Sequence, residues 1–496
     1  MNKPPNFTNY WREYPHKVLK AFGQEGKSPT PITDSKFGHS TIGSGRIVLQ
    51  DNELINRAIA DKSFYRNRSL NAGFDYAKKN HQSVHLIGLL SDVGVKANIN
   101  HLLALIELAY RKSFKDLFLD IISDGLNSPV GKLPEFITKI NDKFRETGLG
   151  KISSISGRDY AMTNVPRKIM EVFQMLVNGE AEMIDSTEET VKRAYRNGLS
   201  DYQIKPTLIK DENGINTLKN GDVIIFFNFR PEKIKLLTRV LIDPNFQKKL
   251  GLKKTIADLY VVTFTKYFKT LNTQIAFERA QLSQTLPEML ARYQKRNLRI
   301  AEKIKEMQVT YFFNGGRAEP FAYEERHIFE SKKPEDFGRY PAMSGDIITK
   351  DAIAAIKSRH YDFILINFAN ADTIAHSGNI GLTGRAVLAT DKFLGQIVDT
   401  NLRDNGITLI SADHGIVEQI KGTKTVHTTN PVPFIMISKE KKRDLIKGAL
   451  ANPFSMLSKL ISPVANLTDI APTILELLNI PKPPLMTGHS LLNNLE

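Results

Sequence analysis

What most constrains this chain is an alternation: apolar runs of strand length recur along it, separated by longer stretches with helical periodicity. Val84 to Leu90, Leu117 to Ile122, Asp222 to Phe229, Tyr260 to Phe264, Val309 to Phe313, Phe363 to Phe368 and Ile407 to Ser411 read as buried strands. Asn100 to Lys112, Glu288 to Lys305 and Gly384 to Asn401 read as helices. Buried strands need helices to cover them, so the spacing predicts an α/β architecture with mainly parallel sheets. A chain of 496 residues is too long for one ordinary core, and two domains are expected. No Pro- or Gly-rich linker marks where one would end.

Composition narrows the function classes. The chain has no cysteine, which excludes disulfides, thiolate catalysis and Cys-ligated metal. No run approaches the apolar length of a membrane span, and the first residues lack the apolar core of a signal peptide, so a cytoplasmic protein with no membrane partner is expected. The net charge of +15 is compatible with nucleic acid or acidic substrates. The basic residues are scattered in short groups such as Lys439 to Arg443, with no zinc-finger, RRM or KH signature beside them. The excess therefore reads as solvated surface, with no specific nucleic-acid partner.

Chemistry concentrates where three late apolar runs begin or end. Asn367-Phe368-Ala369-Asn370-Ala371-Asp372-Thr373-Ile374-Ala375-His376 follows one strand, and an Asp and a His four residues apart can converge on a cation if the connection turns helical. Ala412-Asp413-His414-Gly415 follows the next, with Gly415 permitting a bend. His427-Thr428-Thr429-Asn430-Pro431 precedes the apolar Phe434 to Ile437. Each alone reads equally well as a cap or a hydrogen-bonded loop residue. Together, at successive strand ends where open α/β sheets place ligands, they supply a mixed nitrogen and oxygen set suited to Mn²⁺ or Zn²⁺. Near the amino end, Asp34-Ser35-Lys36-Phe37-Gly38-His39 sets a serine in a Gly-rich stretch, and a serine becomes a nucleophile near neutral pH only when a metal or base takes its proton.

The order of these motifs resembles the cofactor-independent phosphoglycerate mutases of the alkaline phosphatase superfamily. Asp34 to His39, Ser91-Asp92-Val93-Gly94-Val95, Ser156-Gly157-Arg158, Phe227-Asn228-Phe229-Arg230-Pro231, Phe312-Phe313-Asn314-Gly315-Gly316, the three Asp/His motifs, Leu467 to Thr473 and Gly488-His489-Ser490 carry the resemblance over nearly the whole chain. It implies a phosphatase-like catalytic domain at 1–50 and 284–496, interrupted by a phosphotransferase domain at 51–283. It also implies two divalent ions, Mn²⁺ with Zn²⁺ or Co²⁺ as alternatives, and no organic cofactor. One ion would lie on Asp372, His376 and His427 and the other on Asp413, His414 and Ser35. Ser35 would take the phosphoryl group from 3-phosphoglycerate and return it to the 2-hydroxyl. Arg158, Arg230, Lys233, Lys96 and Lys333 would hold substrate, and the working unit would be a monomer.

The chain departs from the family in two places. Members begin with a strand ending in an Asp-Gly pair whose Asp ligates metal, and this chain opens beyond it at Pro4-Pro5-Asn6-Phe7. Asp34 stands where the family has asparagine. In the inserted domain Lys96 replaces a histidine, Leu126-Asn127 an Arg-Asp pair, Asn164 an arginine and Lys233 a second arginine. Leu and Asn cannot supply bidentate arginine contacts. A phosphatase or transferase with another substrate, or an inactive relative, are the competing expectations.

Overall fold

The structure is a computed structural model that describes residues 4–21, 35–252, 254–268, 270–278, 281–416, 427–428, 430–441, 465–493 and 495. Asp34 lies outside them. The chain forms two compact units, one of Met1–Val48 with Ala280–Glu496 and one of Leu49–Arg279. Numbered along the chain, the strands are β1 (His16–Lys20), β2 (Val84–Leu90), β3 (Leu117–Ser123), β4 (Lys151–Gly157), β5 (Glu182–Ile184), β6 (Thr207–Ile209), β7 (Val223–Phe226) and β8 (Tyr260–Thr263). They continue as β9 (Gln274–Ile275), β10 (Asn297–Glu302), β11 (Glu324–Phe329), β12 (Phe363–Asn367), β13 (Thr408–Ser411), β14 (Val432–Ile437) and β15 (Ala465–Asn466).

The inserted unit is built on one eight-stranded sheet of order β5-β6-β4-β3-β2-β7-β8-β9, parallel except where β4 meets β6. All seven residues of β2 are buried, as are the four of β7, because helices cover both faces of continuous aliphatic runs. Helix Ile99–Arg111 packs Leu102, Leu105, Ile106 and Leu108 into the same core. Register pairs Val84 with Leu117 and with Val223, so β2, β3 and β7 begin level with one another and run in parallel. Asp92, Asp124, Arg158 and Arg230 follow these ends and that of β4, the edge at which open α/β sheets bind ligands.

The other unit has two smaller sheets: parallel β11-β10-β12, and β13-β14-β1-β15, in which β14 runs antiparallel to both neighbours. Two sequence expectations fail here. The segment Glu288 to Lys305 is helical only as far as Arg292; Gln294 takes a left-handed φ of 55°, and Asn297–Glu302 becomes the central strand β10. Arg299 and Glu302 mimicked the polar face of a helix, yet both are buried, with Arg299 stacked between Phe313 and Phe363 at 4.8 and 5.3 Å. Val309 to Phe313 is likewise a π-helical turn, Gln308–Phe312, rather than a strand. Short apolar runs carry no decisive period. This turn packs on helix Ser35–Ser44 so closely that a Cβ on Gly43 would lie 2.0 Å from the Phe313 carbonyl oxygen.

Candidate active site and metal centre

Helix Ser35–Ser44 begins at Ser35, whose side chain is buried and thus placed at the positive end of a helix dipole. Its Oγ lies 2.7 Å from His414 Nε2. Gly38 lets the same helix approach the β13 end, since a Cβ there would fall 2.7 Å from Asp413 Cβ. His39 on the next residue bridges the two strand ends: one ring nitrogen is 2.9 Å from Asn367 Nδ2 and the other 3.1 Å from Asp413 Oδ2.

After β12 the chain does turn helical, over Asn370–Ala375, with His376 capping that helix and Asp372 one turn earlier. His376 Nε2 is 3.5 Å and His427 Nε2 3.4 Å from Asp372 Oδ1, and the two imidazole nitrogens face each other at 3.0 Å. After β13, the Thr428 amide donates to the Gly415 carbonyl at 2.7 Å, which ties His427 beside His414 with ring centroids 3.6 Å apart. The sequence-level division into two ligand sets is therefore less sharp in space. Asp372, His414 and His427 themselves offer three ligand atoms within 4.8 Å of one another.

Lys305 was not among the sequence candidates. It follows β10, is buried, and its ammonium donates to Asp372 Oδ2 at 2.6 Å. Burial works to raise the Asp372 carboxyl, but the His427 hydrogen bond and the Lys305 charge outweigh it and hold the group well below the usual carboxylate range. Asp413 shows the same contest, with burial overcome by His39, His414 and Lys305. Burial holds the His414 imidazole below its ordinary range, against the pull of Asp413, which favours the neutral ring a metal ligand requires. Lys333, by contrast, is exposed at the start of a 3-10 turn; the lysine that meets the cluster is Lys305. Recognising Asn297 to Glu302 as a strand would have put Lys305 at its carboxyl end.

The donors fit a hard or borderline divalent cation. Asp372 Oδ1 and Asp413 Oδ2 are buried oxygens without a hydrogen bond of good geometry, and around them lie imidazole nitrogens and the Ser35 hydroxyl. An ammonium and imidazoles alone leave those oxygens underused.

In the inserted unit, Lys96, Arg158, Arg230 and Lys233 gather at the strand ends. The Lys96 carbonyl accepts the amides of Phe229 and Arg230 at 2.9 and 3.3 Å, joining the loops after β2 and β7. Burial lowers the Lys96 ammonium, and Arg158, Arg230 and Lys233 push it the same way, opposed by Glu232. A bound anion would relieve this crowding of like charge. Arg158 is buried and directs Nη1 at Asp124 Oδ1 (2.6 Å) and Asn127 Oδ1 (2.5 Å). Leu126 and Asn164 are exposed.

Comparison with known proteins gives a consistent picture. Residues 55–269 match the family model described as BPG-independent PGAM N-terminus. A 2,3-bisphosphoglycerate-independent phosphoglycerate mutase of Clostridium kluyveri is 37% identical over 98% of this chain and 94% of its own length. That of Desulforudis audaxviator is 35% identical over 99% and 94%. A phosphoglycerate mutase of Leishmania mexicana, crystallised at low cobalt concentration, superposes with a TM-score of 0.64 over 99% of this chain and 93% of that one, at 24% identity.

Proposed function

The chain belongs to the 2,3-bisphosphoglycerate-independent phosphoglycerate mutase family, and on that premise we propose that Ser35 carries the phosphoryl group from one hydroxyl of glycerate to the other. It is an isomerase of the glycolytic sequence that interconverts 3-phosphoglycerate and 2-phosphoglycerate, with an alkaline-phosphatase-like core and an inserted domain. The observation that carries the Ser35 assignment is its buried Oγ, 2.7 Å from His414 Nε2 and one helical turn from His39.

The family is metal-dependent, and the donor set fits two ions, Mn²⁺ by its mix of carboxylate and imidazole. Asp372, His376 and His427 would hold one, and Asp413, His414 and Ser35 the other. Bound there, they would neutralise phosphoryl oxygens and lower the pKa of the serine hydroxyl. The chain's own groups do the rest. Ser35 Oγ forms the new bond to phosphorus as the bond to the substrate oxygen breaks, and the hydroxyl proton passes in net to that leaving oxygen. Lys305 holds Asp372 ionised and in place. Lys96, Arg158, Arg230 and Lys233 retain the dephosphorylated glycerate through its carboxylate until the group returns to the neighbouring hydroxyl. We assign this transfer chemistry to the unit of 1–50 and 284–496 and substrate retention to 51–283. Among the described residues no helix is long and apolar enough to cross a membrane, and we place the enzyme in the cytoplasm as a monomer.

Mass spectrometry after incubation with Mn²⁺ and 3-phosphoglycerate tests the assignment. Phosphate on Ser35 is expected, and full mutase turnover by Ser35→Ala would remove it.

A further inference from the structure

Beside the turn that packs on the Ser35 helix, the catalytic unit holds a buried guanidinium that donates to nothing. Arg299 lies in the middle of β10, the central strand of its sheet, and is 0% exposed. Phe313 and Phe363 lie against it, with ring centres 4.8 and 5.3 Å from the guanidinium carbon. Such rings steady a cation but offer its N–H groups no ordinary acceptor. Nε, Nη1 and Nη2 are all buried, and none meets a hydrogen-bond acceptor among the described residues. Buried polar groups are nearly always paired, and a buried arginine above all.

Strand pairing shows what else faces it. β10 runs parallel to β11 with Arg299 opposite Arg326 and Asn297 opposite Glu324, so these four side chains share one face. Glu324 is the carboxylate of that face, and its oxygens are taken: Oε1 by Arg326 Nε at 2.7 Å, Oε2 by Asn314 Nδ2 at 2.8 Å and the Phe321 amide at 3.3 Å. Arg326 gives Nη1 to the Ala318 carbonyl at 2.9 Å, while its Nη2 is buried without an acceptor. Two cations thus share one anion. Burial pulls the Arg299 guanidinium down to about 10; Glu324 resists and Arg326 adds to the pull. The buried Asn297 Oδ1 and Asn314 Oδ1 also lack donors. Water bridging them to the guanidinium satisfies hydrogen bonds but supplies no charge, and it is the uncompensated buried charge that costs most.

We propose that Arg299 and Arg326 bind a small monovalent anion of the chloride class in the interior of the catalytic unit. One negative charge balances the cluster, and the four buried nitrogens without acceptors, three of Arg299 and one of Arg326, are its donors. A single-atom ion suits a residue closed off from solvent between two phenyl rings, where sulfate would bring a second charge and an organic acid more bulk. The ion also bears on Ser35. Phe313 presses one way on Arg299, and its carbonyl oxygen is the atom that a Cβ on Gly43 of the Ser35–Ser44 helix would meet at 2.0 Å. Fixing the guanidinium therefore steadies the turn against which the helix of the nucleophile packs. The inference does not rest on the mutase reading, because its test involves no turnover.

The purified full chain is dialysed into sodium gluconate, and chloride is then exchanged for gluconate at constant ionic strength. Trp11, the one tryptophan, belongs to the catalytic unit and reports its thermal unfolding. The midpoint should rise by about 2 to 3 °C for each tenfold increase in chloride above its dissociation constant, and bromide should act alike. Arg299→Met leaves Arg326 matched by Glu324, and Arg326→Gln leaves Arg299 matched by Glu324, so each variant should lose the chloride response. Either one suffices if the other fails to fold. Crystals of the unsubstituted chain grown from bromide should show anomalous density within hydrogen-bond distance of Arg299. Equal midpoints in chloride and gluconate, with no bromide at Arg299, would give those donors to ordered water and overturn the proposal. Bromide found there without any effect on the midpoint would be an adventitious ion only, and would overturn it as well. A chloride response that survives in both variants would place the ion elsewhere, with the same consequence.

Discussion

The two units organise their strands and cores differently. In the inserted unit eight strands form one sheet, its middle strands are buried throughout, and its core is a single cluster running from Ile55 to Phe277. In the catalytic unit the described residues form seven strands divided between two sheets and four separate core clusters, and the aliphatic strands β12 and β13 are half-buried. Chemistry is divided between them. The unit with two sheets carries the Asp, His and Ser cluster, and the unit with one sheet carries the basic group of Lys96, Arg158, Arg230 and Lys233. Continuity of the sheet and placement of the polar cluster are thus separate properties, each with its own physical test.

The largest effect should come from the unit whose scaffold is divided. Ser35→Ala removes the hydroxyl proposed to take the phosphoryl group, and mutase turnover should fall by about six orders of magnitude, the scale seen when a covalent nucleophile is lost. Metal content measured on the same sample should fall little, because the Asp and His donors remain. A modest loss of rate would mean that the chemistry does not run through this cluster.

Next in size is an acid response that belongs to the inserted unit. His101 is fully buried against Phe229 and Phe264, with Nε2 2.9 Å from Asn56 Oδ1 and Nδ1 unpartnered. Burial pulls its pKa from 6.5 down to about 3. Between those values the unfolded chain binds the proton and the folded chain does not. The stability contributed by the neutral ring is therefore intact above 6.5 and lost progressively as pH falls toward 3, on the order of 5 kcal/mol in all. Urea unfolding followed by circular dichroism should show this slope, and His101→Gln should flatten it. Trp11 lies in the other unit, so the pH dependence of its fluorescence transition should not change with that substitution.

How much of this was legible beforehand divides along the same line. Val84 to Leu90 and Leu117 to Ile122 read correctly as strands because a covered parallel sheet demands continuous aliphatic runs, and these have them. Asp372 and His376 were legible from an i, i+4 spacing on a segment that does turn helical. β10 was not, since a buried arginine between two phenylalanines and a buried glutamate look in one dimension like the wet face of a helix. Glu302 is held by the Ser344 amide at 2.9 Å, a tertiary contact that no local pattern announces. Misreading β10 also hid Lys305, whose role depends on being at a strand end.

A third test asks whether the inserted unit's altered residues still grip substrate. Lys96 stands among Arg158, Arg230 and Lys233, where its own charge is disfavoured until an anion arrives. Lys96→Met should raise the KM for 3-phosphoglycerate about 10- to 100-fold, the worth of one charge-assisted hydrogen bond at about 1.5 to 3 kcal/mol. It should also increase phosphate release relative to 2-phosphoglycerate formed, since glycerate held less firmly escapes before the group returns. Measuring both products from one reaction decides it. An unchanged ratio would give the retention to Arg158, Arg230 and Lys233 without Lys96.

The smallest effect is expected at Lys333, the exposed member of the substrate set. Motif order suggested Lys333 as the lysine beside the phosphate, while the structure leaves Lys333 exposed and sets Lys305, buried, 2.6 Å from Asp372. An exposed lysine without a partner of fixed geometry contributes little, and its removal should change stability and turnover by no more than about 0.5 kcal/mol, roughly a factor of two. Lys305→Met is the matched control. It strips the charge-assisted bond from a buried carboxylate and leaves that carboxylate less well compensated, which costs about 1.5 to 3 kcal/mol even before any direct contact with substrate is counted. Added Mn²⁺ should recover part of the Lys305→Met stability loss, because a cation at Asp372 replaces the missing charge, and should do nothing for Lys333→Ala. Steady-state rates and thermal midpoints for the two variants, with and without Mn²⁺, give the comparison. If Lys333→Ala proves the more damaging of the pair, the loop from Ser331 to Lys333 must reach the cluster in the working enzyme, and the assignment of Lys305 reverts to a structural one.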